Sequence, residues 1–126
     1  MKEPRWLTEG EAMDMHENVI KQFGGSLGVR ERGLLLSALD RARNQFAYGV
    51  DDLYLLAAFY AHGIGRNHPF IDGNKRVALT AAGVFLAKHG IILRATNSEA
   101  SKMTIDLVQD KCTVETFAAW LRDNSK

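Results

Sequence analysis

The most apolar run, VALTAAGVFLA from Val77 to Ala87, constrains the fold of this chain more than any other part of its sequence. It is much shorter than the roughly 20 residues that a membrane-spanning helix needs. On a helix from Lys75 to Lys88 its side chains would be apolar almost all round, so other elements must cover it on several sides. The stretch therefore predicts a buried helix at the centre of a bundle.

The segments around this stretch have the spacing of further helices. Thr8 and Glu11 form a capping-box pattern that opens a first helix, from about Thr8 to Gln22. Asp51 or Asp52 is placed to cap a third helix, and Thr96 with Glu99 to open a fifth. Apolar residues at helical spacing mark the second helix (Leu34, Leu35, Ala38, Leu39, Ala42 and Phe46) and the sixth (Val114, Phe117, Ala118 and Leu121). With a short extended piece at GIILRA, the pattern predicts one all-α domain, residues 1–126, of about six helices.

Composition narrows the classes of partner. The chain has 126 residues, of which 46% are hydrophobic and 25% charged, and its net charge is +1. This near-neutral balance disfavours direct binding to nucleic acid or to a membrane surface. The single cysteine cannot form an internal disulfide, and the first residues lack the apolar core of a signal peptide, so we expect a cytoplasmic protein. Cys112 is interpreted as a small apolar filler.

Polar chemistry is concentrated immediately before the apolar helix, in HPFIDGNKR. The Asp72-Gly73-Asn74 turn would bring together the free backbone N–H groups at the helix start, which carry partial positive charge. Lys75 and Arg76 at that position are disfavoured by the helix dipole unless they meet an anion. The pattern therefore predicts a phosphate cradle.

Two further residues would complete a transfer site. Asp72 is a carboxylate suited to Mg²⁺, which otherwise prefers phosphate and water oxygens. His68 can accept a proton near neutral pH, as a base that activates a hydroxyl must. A base, a metal ligand and a phosphate cradle are the parts needed for phosphoryl or nucleotidyl transfer. Turn chemistry alone leaves a second interpretation open, in which these are only the turn residues between two helices.

The stretch resembles the signature of the Fic/Doc family, with matches at His68, Pro69, Phe70, Asp72, Gly73, Asn74 and Arg76. In addition, MHENVIKQFGGSLGVRERGLLLSAL is similar to the N-terminal part of the death-on-curing (Doc) toxins, so the resemblance covers roughly Thr8 to Leu121.

The resemblance implies the Fic/Doc helical bundle with a short flap, and transfer from ATP, with Mg²⁺, to a hydroxyl of a target protein. For Doc toxins it implies phosphorylation of elongation factor Tu, arrest of translation and a partner antitoxin. It makes His68 the catalytic base and Asp72 the metal ligand, with Gly73, Asn74, Lys75 and Arg76 at the phosphates and Pro69 and Phe70 as structural residues. Arg43–Val50 occupies the place of the flap, although a helix end followed by a turn fits equally well.

Departures from the family pattern bear on which group is transferred. Nucleotidylating Fic proteins have glycine where this chain has Lys75, and a second arginine where it has Leu79. Both differences favour transfer of the γ-phosphate, whereas Gly73 follows the nucleotidylating form. AMP transfer and a non-catalytic Fic-like binding module remain as alternatives.

The resemblance also bears on how the activity is inhibited. Neither Glu9-Gly10 nor Glu17-Asn18 follows a serine or threonine at the spacing of the family's self-inhibitory helix, so we expect inhibition in trans by an antitoxin segment that folds on binding. Of the remaining histidines, His62 is expected near the site, and His16 and His89 are expected to be structural or surface groups.

Overall fold

Six helices form the structure, a computed structural model that describes residues 2–126. They are α1 (Glu9–Phe23), α2 (Arg32–Ala47), α3 (Leu53–Asn67), α4 (Asn74–Ala87), α5 (Asn97–Val108) and α6 (Val114–Asp123). The all-α prediction is confirmed. Helix α4 begins at Asn74, one residue earlier than expected, because Gly73 takes a left-handed conformation and serves as its N-cap.

Side-chain caps start four of these helices. At α1 the capping box is complete, because the Thr8 hydroxyl accepts from the Glu11 N–H and the Glu11 carboxylate accepts from the Thr8 N–H. Asp52, rather than Asp51, caps α3. Thr96 and Thr113 cap α5 and α6 in the same way. These local bonds satisfy N–H groups that a helix start leaves without a partner.

The core lies between α3 and α4. The prediction that α4 is the central helix is wrong, because α3 is the more enclosed of the two and is buried at residues 56–61 and 63–65. Helix α4 is buried along one face, and Leu79, Gly83 and Val84 on its other face are only half-buried. Its buried apolar side chains are Val77, Ala78, Ala81, Ala82, Phe85 and Leu86. Helix α3 packs against α2, α4 and α6, while α1 and α5 lie against α4. Within residues 2–126, no helix has the length and apolar content required to cross a membrane.

Two connecting segments differ in how well they were predicted. In the extended piece expected at residues 90–95, Gly90 instead belongs to the turn after α4, with φ 77°. The residues after this turn pair with the end of the chain through Ile92 and Lys126, whose N–H and C=O groups exchange bonds of 2.9 and 2.8 Å. Of the two interpretations left open for Arg43–Val50, the structure has the helix end followed by a turn, because α2 continues to Ala47 and the next three N–H groups bond back to its last turn. A helix that is still hydrogen-bonding to itself leaves no strand edge free for pairing.

Candidate active site

His68 is the C-cap of α3 and has a left-handed backbone conformation, with φ 52° and ψ 54°. Such a conformation is uncommon for a residue with a Cβ atom and ends the helix abruptly. The His68 N–H still closes the helix by donating to Ile64 O at 3.2 Å. Pro69 and Phe70 then turn inward and are buried, so the chain leaves α3 with the His68 side chain exposed and the next two residues anchored in the core.

Asn74 connects this turn to the histidine ring. Its amide oxygen accepts from the Phe70 N–H at 3.0 Å, and its amide nitrogen donates to Phe70 O at 2.9 Å and lies 3.2 Å from His68 Nδ1. Because the paired bonds to Phe70 orient the amide, its second N–H points at the ring and makes Nδ1 an acceptor. The neutral ring therefore carries its proton on Nε2. A target hydroxyl must approach Nδ1, or the ring must turn, before His68 can take a proton.

The residues predicted for the phosphate cradle meet at the start of α4. Gly73 has φ 79° and gives the helix no side-chain cap. The first helical bond runs from Val77 N–H to Gly73 O, so the N–H groups of Asn74, Lys75 and Arg76 precede it. They open onto a cavity of about 260 Å³ lined by His68, Ile71, Asp72, Gly73, Asn74, Lys75 and Arg76. An uncapped helix start facing a cavity suits an anion.

The identity of residue 73 has a local explanation. A positive φ favours glycine, and an added Cβ would lie 3.2 Å from Cδ1 of Ile20 and 3.3 Å from Cγ1 of Val19 in α1. The left-handed turn therefore favours glycine, and the contact with α1 leaves little room for a side chain.

Asp72 points its carboxylate at the same cavity and is held there by two backbone groups. Oδ1 accepts from the Gly73 N–H at 2.9 Å and Oδ2 from the Ser26 N–H at 3.3 Å. Among residues 2–126, no three acidic, histidine or cysteine side chains cluster as a metal site. One carboxylate with free lone pairs fits Mg²⁺, which is commonly held by a single protein carboxylate together with phosphate and water oxygens.

Arg76 lies at the edge of the cradle on an aromatic support. Its guanidinium carbon is 3.8 Å from the ring centroid of Phe23, the last residue of α1. Both Lys75 and Arg76 are exposed and near the helix start, where the dipole repels cations. The cation–π contact offsets part of that repulsion for Arg76.

The glycine-rich loop between α1 and α2, residues 24–31, lies against the motif. Val29 and Phe70 form an antiparallel bridge, with Ile71 N–H donating to Gly28 O at 3.0 Å and Arg30 N–H to Pro69 O at 2.7 Å. At Gly25, an added Cβ would meet Asp72 Oδ2 at 2.6 Å. The closely spaced glycines in the sequence could have indicated this contact, because glycine permits two backbones to approach closely.

Of the other three histidines, His16 and His89 are structural groups as expected, whereas His62 is not where it was expected. His16 is buried in α1, stacks on Phe70 with ring centroids 4.1 Å apart, and its Nε2 lies 3.1 Å from Asp72 O. His62 contacts Arg41 and Asp110, not the cradle, so its expected place near the site is wrong. His89 is structural, because it joins the N-terminal segment at Arg5 to Phe85.

Comparisons with known proteins agree with this arrangement. The model of the Fic/DOC family matches residues 6–86, which include the glycine-rich loop, the motif and most of α4. The chain is 29% identical over 119 residues to "Protein kinase doc" of Escherichia phage P1, covering 94% of both proteins. It is 38% identical over 104 residues to "Toxin Doc" of Mycolicibacterium smegmatis, covering 79% of both. With a family match over more than half of its length and the motif residues gathered around one cavity, this chain belongs to the Fic/Doc family.

Proposed function

We propose that this protein is the toxin of a toxin–antitoxin module and transfers the γ-phosphate of ATP to a hydroxyl of a target protein. The observation that carries the proposal is the uncapped start of α4, which faces the same cavity as His68 and Asp72. The two Doc relatives support it, one named as a protein kinase and the other as a toxin.

Each group that lines the cavity has a separate role in the proposed reaction. The N–H groups of Asn74, Lys75 and Arg76, with the two cationic side chains, bind the phosphate oxygens. Mg²⁺ held by Asp72 and those oxygens would neutralise part of their charge. His68 takes the proton of the target hydroxyl while the oxygen of that hydroxyl bonds to the γ-phosphorus. The bond from that phosphorus to the β–γ bridging oxygen breaks, and ADP leaves with the electron pair.

Residue 79 favours transfer of the γ-phosphate over transfer of AMP. Residues 76 and 79 are three apart on α4 and share a face. Leu79 cannot add a second charge-assisted bond to the distal phosphates, which would contribute about 1.5–3 kcal/mol. AMP transfer requires those distal phosphates to be bound away from the attacked phosphorus. The absence of the second charge-assisted bond therefore weighs against the orientation of ATP that AMP transfer needs. Gly73 follows the nucleotidylating form, but the left-handed turn by itself favours glycine at this position, which reduces its weight in the comparison.

Elongation factor Tu is the proposed target, as the likeness to Doc toxins implies, which would place the activity in the cytoplasm. The test supplies purified elongation factor Tu with this protein, Mg²⁺ and ATP labelled at either the γ- or the α-phosphate. We expect label only from the γ position, with one phosphate added by mass. Label from the α position alone would replace the kinase assignment with AMP transfer. Binding of ATP without any transfer would favour the non-catalytic module.

Inhibition in trans is the second part of the proposal. A groove of about 500 Å³ adjoins the cradle and shares Lys75 and Arg76 with it; its other lining residues are Gln22, Phe23, Leu79, Thr80, Asn97, Ser101, Thr104 and Ile105. All of these are uncharged apart from the two cations. The lining suits an antitoxin segment with apolar side chains and a carboxylate, which would block the phosphate site.

Expression in bacteria tests the toxic role. The chain alone should arrest growth, and co-expression with its antitoxin should restore it. The His68→Ala variant, expressed to the same level, is the control and should not arrest growth. A soluble, folded wild-type product that leaves growth unchanged would contradict the assignment as a toxin.

A further inference from the structure

Arg30 satisfies three consecutive backbone carbonyls around His68. Its Nε donates to His68 O at 2.8 Å and its Nη2 to Asn67 O at 3.0 Å. Its own N–H donates to Pro69 O at 2.7 Å. A single residue of the glycine-rich loop therefore binds the carbonyls of His68 and of both its neighbours.

The Arg30 bonds lie where the backbone conformation is unfavourable and where carbonyl groups lack helical partners. The carbonyls of Asn67 and His68 lie at the C-terminal end of α3, where the helix carries partial negative charge and carbonyls lack helical partners. The left-handed conformation of His68 is sparsely populated for residues with a Cβ atom and persists only when surrounding contacts hold it. A guanidinium with a planar fork of donors is suited to both tasks.

We propose that Arg30 is a positioning residue for catalysis, which holds the His68 ring at the phosphate cavity by fixing the backbone on which the ring is carried. Arg30 does not line the cavity. Its effect on the reaction is therefore indirect, through the φ and ψ angles of His68. The activity part of this inference rests on the proposed function, whereas the orientation of the ring does not.

The loop has other attachments, so the role of the Arg30 side chain can be isolated. Ile71 N–H to Gly28 O and Ser26 N–H to Asp72 Oδ2 do not involve the guanidinium. Arg30 is also exposed, so its replacement leaves the core intact. Removing the side chain should free the His68 and Asn67 carbonyls while the loop stays paired with the motif.

Arg30→Gln and Arg30→Lys are the test variants, and Arg32→Gln is the matched control. Arg32 is two residues away and exposed, and its guanidinium forms a comparable paired contact, at 2.7 and 3.0 Å, with Glu9 instead of the motif. Two readouts apply: the ring NMR signals of His68 in the protein without nucleotide, assigned with His68→Gln, and kcat and KM for ATP in the transfer assay.

We expect Arg30→Gln to shift the His68 ring signals and to lower kcat roughly ten- to a hundred-fold, because a small misplacement of a catalytic group has effects of that size. KM for ATP should change less than about twofold, since the cradle on α4 is not altered. Arg30→Lys, with one donor group instead of a fork, should recover part of kcat. Arg32→Gln should match the wild type in both readouts.

Unchanged ring signals in Arg30→Gln would overturn the inference, and so would an equal loss of kcat in Arg32→Gln. If the wild type transfers nothing from ATP, the proposed function fails. The NMR comparison still decides on its own whether Arg30 positions His68.

Discussion

The ring of His68 is exposed at the cavity, so its replacement should affect chemistry far more than stability. We expect His68→Ala to abolish transfer from ATP while the free energy of unfolding changes by less than about 1 kcal/mol. His62→Gln is the matched control, because His62 lies outside the cradle and should leave transfer unchanged. Labelled transfer and urea denaturation measure the two effects. Wild-type turnover by His68→Ala would remove His68 from the mechanism.

Asp72 is predicted to act through its charge. Asp72→Asn retains an oxygen for the Gly73 N–H but loses the negative charge that attracts Mg²⁺. We expect kcat/KM at ordinary Mg²⁺ to fall at least about tenfold, with partial recovery at high Mg²⁺. Asp123→Asn, an exposed acid at the end of α6, is the control. Identical Mg²⁺ dependence in the wild type and Asp72→Asn would argue against a metal role for this carboxylate.

At the scale of elements, the approach of α3 to α5 depends on Gly65. A Cβ there would overlap Cγ2 of Val108, whereas a Cβ at Gly83 in α4 would meet nothing within 4 Å. We expect Gly65→Ala to destabilise the fold by about 1–3 kcal/mol through overpacking. Gly83→Ala should be neutral or stabilising by up to about 1 kcal/mol, because alanine favours helix. Thermal unfolding of the pair checks this, and equal shifts in Tm would contradict the packing argument.

His62 joins α2, α3 and the α5–α6 turn through Arg41 and Asp110. Burial, followed by the nearby Arg41 cation, lowers the pKa of His62, although Asp110 acts in the opposite direction. The unfolded chain therefore binds the proton more readily than the native state does. Stability should fall as the pH is lowered through the ordinary histidine value of 6.5.

Urea denaturation between pH 7.5 and pH 5 checks this dependence. In His62→Gln the loss of stability over that range should be smaller than in the wild type. The same slope in both proteins would show that His62 does not contribute to it.

For the whole molecule, stability should depend on the core between α3 and α4. Phe85 is fully buried and contacts Trp6, Tyr60 and His89, so it connects the N-terminal segment with α3 and α4. Phe85→Ala should cost about 3–5 kcal/mol. Tyr48→Ala removes an aromatic ring that is 87% exposed and should cost less than about 0.5 kcal/mol. Comparable losses of unfolding free energy in urea would contradict the placement of the core between α3 and α4.

The sequence by itself determined the parts that depend on neighbours a few residues apart. The capping box at Thr8, the Asp52 cap and the apolar pattern of α4 involve spacings of one to four residues, which the order of residues shows directly. The motif chemistry was predictable for the same reason, since His68, Asp72, Asn74 and Arg76 all lie within one turn and the following helix start. The residues predicted for the cradle therefore line one cavity in the structure.

Only the tertiary structure decided what holds that motif in place. Arg30 reaches His68 O across 38 positions, and His16 reaches Asp72 O across 56. The pairing of Val29 with Phe70 was not predictable for the same reason, because it depends on which loop the packing of α1 against α4 brings to the motif. Local periodicity carries no information about contacts that form only when distant segments are folded together.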